Sequence, residues 1–159
     1  VAGHMAHVSE DLSLTFNDVV EILGKVARAE IETASEKVDG QNLFLTVDGN
    51  GDTRTARNAG DIRKGGMTTE EYISKWKGHP AENAFTNGFM AVQEAISRLD
   101  TEDIMSIFGR GTRWINMEIM YPKNPNIILY TAPQIVMHSL QDFSEGGERL
   151  GQLFSTFTW

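Results

Sequence analysis

The chain contains no cysteine, which excludes disulfides and thiolate metal sites and leaves the redox compartment open, with a cytoplasmic location as the natural fit. No apolar run approaches the roughly 20 residues that a membrane helix needs, so no membrane partner is expected. The opening Val1-Ala2-Gly3-His4-Met5 lacks a basic stretch followed by an apolar one and does not read as a secretory signal. Gly3-His4-Met5 resembles a cloning remnant, so residues 1–8 are set apart from the fold, and His4 and His7 with them as a metal pair. Positive charge is also scarce. The formal net charge is −8, which disfavours a broad phosphate-binding surface. A local patch remains open, because Arg54, Arg57, Arg63 and Lys64 fall close together. What is present is ordinary: 159 residues, 40% hydrophobic and 23% charged, suit one folded domain.

Apolar residues at Phe16, Val19, Val20, Leu23, Val26 and Ala27 predict an amphipathic helix over 16–31, capped by Thr15 or Asn17 and packed on a sheet. Residues 31–36 read as a short strand, 42–47 as an apolar, β-branched strand, 48–52 as a turn and 53–57 as the returning strand. A glycine-containing loop is expected over 61–67, a helix from Thr68, and a second helix over 81–99 with a core stripe from Ala84 to Leu99. Residues 104–108 extend this helical region and Gly109 to Thr112 break it. Strands follow at 114–121, 127–130 and 135–140, with a turn at 122–126. Residues 144–151 read as a loop or fraying end, and no element is assigned over 153–159. Together these predict an α+β domain over 9–143 with an antiparallel sheet core and flanking helices, and 144–159 as a tail.

Chemistry concentrates in Glu36-Lys37-Val38-Asp39-Gly40-Gln41-Asn42. A lysine amine is a nucleophile once deprotonated, an acid two residues on can orient it or hold a metal, and glycine lets backbone approach a ligand. The same four residues K-x-D-G also make ordinary surface turns. If the hairpin closes, Arg57 returns to the Lys37–Asn42 neighbourhood, where it can bind a phosphate or carboxylate bidentately, or pair with Asp61 or Asp39. Arg54, three residues earlier, falls on the opposite face and reads as solvated. Glu118 lies in an apolar strand, where a carboxylate is either exposed or specifically held; Asn116 shares its face. His138 faces a pocket or is a satisfied histidine of the core or the sheet edge. Asp48-Gly49-Asn50-Gly51-Asp52 opens like an EF-hand loop, but Thr53 and Ala59 stand where glycine and glutamate are required, so a hairpin tip is expected. The 61–67 glycines lack the context of a P-loop.

Lys37-Val38-Asp39-Gly40-Gln41-Asn42 resembles motif I of the covalent nucleotidyltransferases, which include ATP-dependent DNA ligases, RNA ligases and capping enzymes. Its asparagine is closest to the RNA ligase 2 type. Thr55-Ala56-Arg57-Asn58-Ala59-Gly60-Asp61 is similar to the S-R-N-G-x-D stretch of DNA ligases, and the segment Trp114 to Tyr121, with Glu118, resembles motif III. Ile135 to Leu140 stands at motif IIIa but lacks that motif's stacking aromatic. The flavour is that of phage proteins related to these ligases. The resemblance implies an adenylation-type fold, an ATP-derived lysyl-AMP on Lys37, and Mg²⁺. It further implies nucleotide contacts from Glu36, Asp39, Gly40, Asn42 and Arg57, Glu118 on ribose or metal, and a nucleic-acid acceptor bearing a 5′-phosphate. Motifs IV and V are absent between Gln141 and Trp159, so the chain is expected to be the N-terminal portion of such an enzyme. Three neighbouring readings stay open: a non-catalytic nucleotide- or nucleic-acid-binding relative, a GTP-using capping variant, and an interaction protein in which Lys37–Gly40 is only a turn.

Overall fold

In the computed structural model, residues 11–32, 37–124, 127–144, 146 and 148–157 are described, with side chains as far as residue 151. Contacts divide the chain after Lys37 into two units.

The first unit contains helix α1, Phe16–Ala27. Thr15 caps it: the Thr15 hydroxyl accepts from the Asp18 amide at 3.3 Å, and Asp18 Oδ2 accepts from the Thr15 amide at 2.7 Å. This reciprocal capping box satisfies donors that a helix start otherwise strands. The helix forms where its periodicity predicts, but the expected burial does not: none of its residues is buried, and Phe16, Val20, Leu23 and Val26 are exposed. Residues 31 and 32 carry no strand, and the rest of the expected 31–36 strand, Glu36 included, lies outside the described residues.

The second unit is α+β. Strands β1 (Gln41–Val47), β2 (Thr53–Ala56), β3 (Arg113–Met120), β4 (Gln134–Phe143) and β5 (Arg149–Phe157) form one antiparallel sheet in the order β2-β1-β3-β4-β5. Helices α2 (Ala59–Arg63), α3 (Thr69–Trp76), α4 (Glu82–Ile96) and α5 (Thr101–Phe108) all fall between β2 and β3. Side chains alternate across the sheet. Leu43, Leu45, Val47, Ile115, Met117 and Ile119 share a core with Tyr72, Trp76, Phe85 and Phe89 of α3 and α4. On the opposite face Phe44, Ala56, Trp114 and Phe143 join Ile62 of α2 in a smaller core. Residues 43–47 are thus buried on both faces, which is why the sequence there is rich in apolar and β-branched residues on both sides of the strand. Gly88 lets α4 lie close on β3, since a Cβ there would meet Ile119 Cδ1 at 2.6 Å.

Four further expectations are corrected. Residues 59–63 are helical, because Asn58 Oδ1 accepts from the Asp61 amide at 3.0 Å and caps a turn hidden from periodicity by its shortness. Residues 101–108 form a separate helix capped by Asp100, rather than an extension of α4. Residues 127–130 are not a strand; the amides of Ile127 and Ile128 are drawn instead to Asp39 Oδ2 at 2.5 and 2.8 Å. Residues 149–151 belong to β5, paired with β4, not to a fraying end.

Candidate functional site

The β1–β3 register places Asn42 directly opposite Glu118 and Phe44 opposite Asn116. Cross-strand partners share a face, so Asn42, Asn116 and Glu118 form one polar row on the sheet face away from α3 and α4. The side chains bond to one another there. Asn42 Nδ2 donates to Asn116 Oδ1 at 2.7 Å and to the Met117 carbonyl at 3.3 Å. The Gly40 amide donates to Glu118 Oε1 at 2.6 Å. Glu118 is therefore the specifically held carboxylate, not the exposed one.

Its second oxygen faces His138 Nε2 at 3.0 Å, with both side chains largely buried at 16% and 20% exposure. A carboxylate oxygen only accepts, so the imidazole presents a proton on Nε2. The irregular β3–β4 register explains how the ring reaches it. Asn116 pairs with Ser139 and Met117 with Met137, which leaves His138 as the extra residue of a bulge. Met137 and Leu140 both pack in the larger core although they are three apart. The bulge thus turns both His138 and Ser139 to the polar face. This signal was present in the sequence: an apolar pair spaced by three inside a strand already breaks strict alternation.

Arg57 follows β2 and meets β1 as expected. Its Nη1 donates to the Asn42 carbonyl, and its own amide donates to Asp61 Oδ2 at 3.0 Å. The guanidinium lies 4.5 Å from the Phe85 ring centre and 5.5 Å from that of Trp76; those two rings stack at 3.8 Å. Burial pulls the Arg57 pKa below its ordinary value, with Tyr72, Asp61 and Glu118 opposing the shift. Burial likewise pushes the Tyr72 phenol upward, against the pull of Arg57. The arginine is held in its charged, forked form by contacts that lysine could not reproduce.

Asp39 is occupied structurally. Besides the two amides at its carboxylate, its own amide donates to the Tyr130 hydroxyl at 2.8 Å, so the loop before β1 and the loop after β3 are pinned together. Tyr130 was missed in the sequence because 127–130 read as a strand. Gly40 is required by its surroundings: a Cβ would lie 2.5 Å from the Ile119 carbonyl oxygen and 2.9 Å from Glu118 Cγ. Lys37 is exposed and falls at the end of the first unit, two residues before Asp39 in the chain. Glu36 lies outside the described residues.

Arg54 differs from its expected solvated state. It pairs through Nε with Asp48 Oδ2 at 2.9 Å, and Asp48 Oδ1 also accepts from the Asn50 and Asp52 amides. The D-x-N-x-D segment is a hairpin tip, as expected, and Asp48 organises it. For the Asp48 carboxyl, burial acts upward, but the Arg54 hydrogen bond, the two amides and the Arg54 charge together hold it below the usual range. Among the described residues no group of three His, Asp or Glu side chains forms a metal cage, and no helix is long and apolar enough to cross a membrane.

The polar row therefore unites Gly40, Asn42, Asn116, Glu118 and His138 around the first residues of β1, while Arg57 joins it only through the Asn42 carbonyl, its guanidinium lying against Phe85 and Trp76 on the other face. No family model, no curated protein and no solved structure matches this chain.

Proposed function

We propose that this chain carries the nucleotide-binding part of an ATP-dependent nucleotidyltransferase of the polynucleotide ligase kind, with Lys37 as the residue that becomes adenylylated. One observation carries the reading: the Gly40–Glu118 hydrogen bond, which joins segments 78 residues apart. These are the K-x-D-G loop and the glutamate of the Trp114–Tyr121 segment, and Arg57 from the third resembling segment bonds to the strand between them. Gly40 and Asn42, Arg57 and Glu118, drawn from three stretches that resemble family motifs in sequence, meet around the start of β1, which an ordinary surface turn does not require.

In this reading the Lys37 amine attacks the α-phosphorus of ATP, the bond to the β-phosphate oxygen breaks, and pyrophosphate leaves with that electron pair. The amine proton passes to solvent or a neighbouring base. Glu118 and Asn42 offer acceptor and donor groups to the nucleotide from the polar row, and Arg57 adds a fixed positive charge beside the Asn42 carbonyl. A magnesium ion fits this site only as a passenger of the phosphates, held by one carboxylate such as Glu118, since no all-protein cage is formed among the described residues. Bound there, it would offset phosphate charge. AMP would then pass to a 5′-phosphorylated nucleic-acid end.

The test is incubation with ATP labelled at either the α- or the γ-phosphate. Retention of the α-label alone after acid-stable denaturation, lost in Lys37→Ala, supports covalent transfer. Reversible ATP binding without adduct supports the non-catalytic relative instead, and no binding supports the ordinary turn.

A further inference from the structure

A second site lies away from the Asn42–Glu118 row. A cleft of about 530 Å³ opens between the tip of the β1–β2 hairpin, the turn after α2 and the turn before β3. Three cations line it: Arg54, Lys64 and Arg110. Asp48 neutralises Arg54 at 2.9 Å. Among the described residues, no acid pairs with Lys64 or Arg110. The cleft therefore keeps two uncompensated positive charges on a chain whose net charge is −8.

The backbone is shaped to hold one of them there. Arg110 has φ 58° and ψ 35°, between Gly109 at φ 55° and Gly111 at φ 96°. A non-glycine residue is uncommon in this left-handed region. The turn is pressed on the hairpin tip: a Cβ on Gly111 would lie 3.3 Å from Asp48 Cα, and one on Gly49 would lie 3.8 Å from Arg110 Cβ. An arginine is thus kept where glycine would be the easier residue.

We infer that this cleft binds the phosphodiester backbone of a single-stranded nucleic acid. A compact free-phosphate site would need converging amides, but the Gly65 and Gly66 amides are spent on the Ile62 and Asp61 carbonyls, both at 2.9 Å. The hydroxyls of Thr46 and Thr112 are likewise committed, to the Arg113 and Gly109 carbonyls. What remains is point charge on two separate turns along an open cleft. That arrangement suits successive backbone phosphates, which are bound mainly by lysine and arginine. The inference does not depend on nucleotide transfer at Lys37 and is tested without ATP.

The experiment is fluorescence anisotropy of a labelled single-stranded oligothymidylate with the full chain, over a range of NaCl concentrations. The test variant is Lys64→Ala with Arg110→Gly, which removes both charges while leaving the left-handed turn to a residue that favours it. A charge-matched control is Lys77→Ala with Lys123→Ala, and thermal melting verifies the fold of each. Expected is salt-sensitive binding by the native chain, an unchanged slope of log Kd against log[salt] in the control, and a slope lower by about 1.4 in the test variant, at ~0.7 per lost phosphate contact. No binding by the native chain, equal slopes in native and test chains, or equal loss in both variants overturns the inference. Displacement by inorganic phosphate beyond that of NaCl at matched ionic strength also overturns it, in favour of a free-phosphate site.

Discussion

The Gly40 amide donates to Glu118 Oε1 at 2.6 Å, while Glu118 Oε2 meets His138 Nε2 at 3.0 Å, so one carboxylate ties the loop before β1 to β4 across β3. The contact is possible only because position 40 has no side chain.

Gly40→Ala tests it first. Its Cβ would collide with a backbone carbonyl of β3 at 2.5 Å, which cannot swing aside as a side chain would. The expected cost is about 1–3 kcal/mol, typical of overpacking. It should register as a lower urea midpoint with an unchanged m-value. A midpoint equal to that of the native chain would mean that the loop before β1 is not held against β3.

Glu118→Ala removes the acceptor from both Gly40 and His138 and should destabilise by about 1–3 kcal/mol, the cost of stranding buried polar groups. Glu118→Gln keeps an acceptor for the Gly40 amide and should lose clearly less. Nucleotide transfer should fail in both variants, so Glu118→Gln separates a folding role from a chemical one. Equal stability losses in the two would show that the Gly40 contact contributes nothing.

Arg57→Lys retains the charge but not the planar fork. The native guanidinium spans the Asn42 carbonyl and the Phe85 ring face at 4.5 Å, and a lysine ammonium cannot match both. The loss expected is about 0.5–2 kcal/mol, the range for a cation held against an aromatic ring. Thermal melting of Arg57→Lys beside Arg57→Met reads it; a lysine variant as stable as the native chain would reduce the contact to charge alone.

Asp48 predicts a pH dependence. Its carboxyl is held below the usual range in the folded chain. Its stabilisation is therefore fully present above the unfolded value and is lost as pH falls through the folded one. The gap in urea midpoint between the native chain and Asp48→Asn should be constant above about pH 5 and narrow steadily in more acid solution. A gap that is flat down to strongly acid pH would contradict the Asp48–Arg54 pairing.

Much of the fold was legible because its signals are local. The run 42–47, the D-x-N-x-D tip and the α4 stripe each name their own element. The site was legible in part for the same reason: Arg57 follows a hairpin, so hairpin closure alone returns it to β1. What escaped depended on distant partners. Residues 127–130 look like a strand by composition, but the Asp39 carboxylate captures two of their amides, and no local pattern reports a partner some 90 residues away. His138 needed the bulge to reach Glu118. The 149–157 strand mixes charged, polar and apolar residues without a clear alternation and becomes a strand by pairing with β4. Helix α1 shows the converse, since a strong periodicity fixed the helix without fixing what its apolar face meets.

The most direct test of the account is to map the site of covalent modification. The native chain is incubated with Mg²⁺ and ATP, digested, and its peptides are examined by mass spectrometry. The account predicts one AMP on the peptide carrying Lys37, absent in Lys37→Ala and from incubations without metal. Modification that persists in Lys37→Ala, or a Lys37 peptide that stays unmodified while ATP is bound, would contradict it.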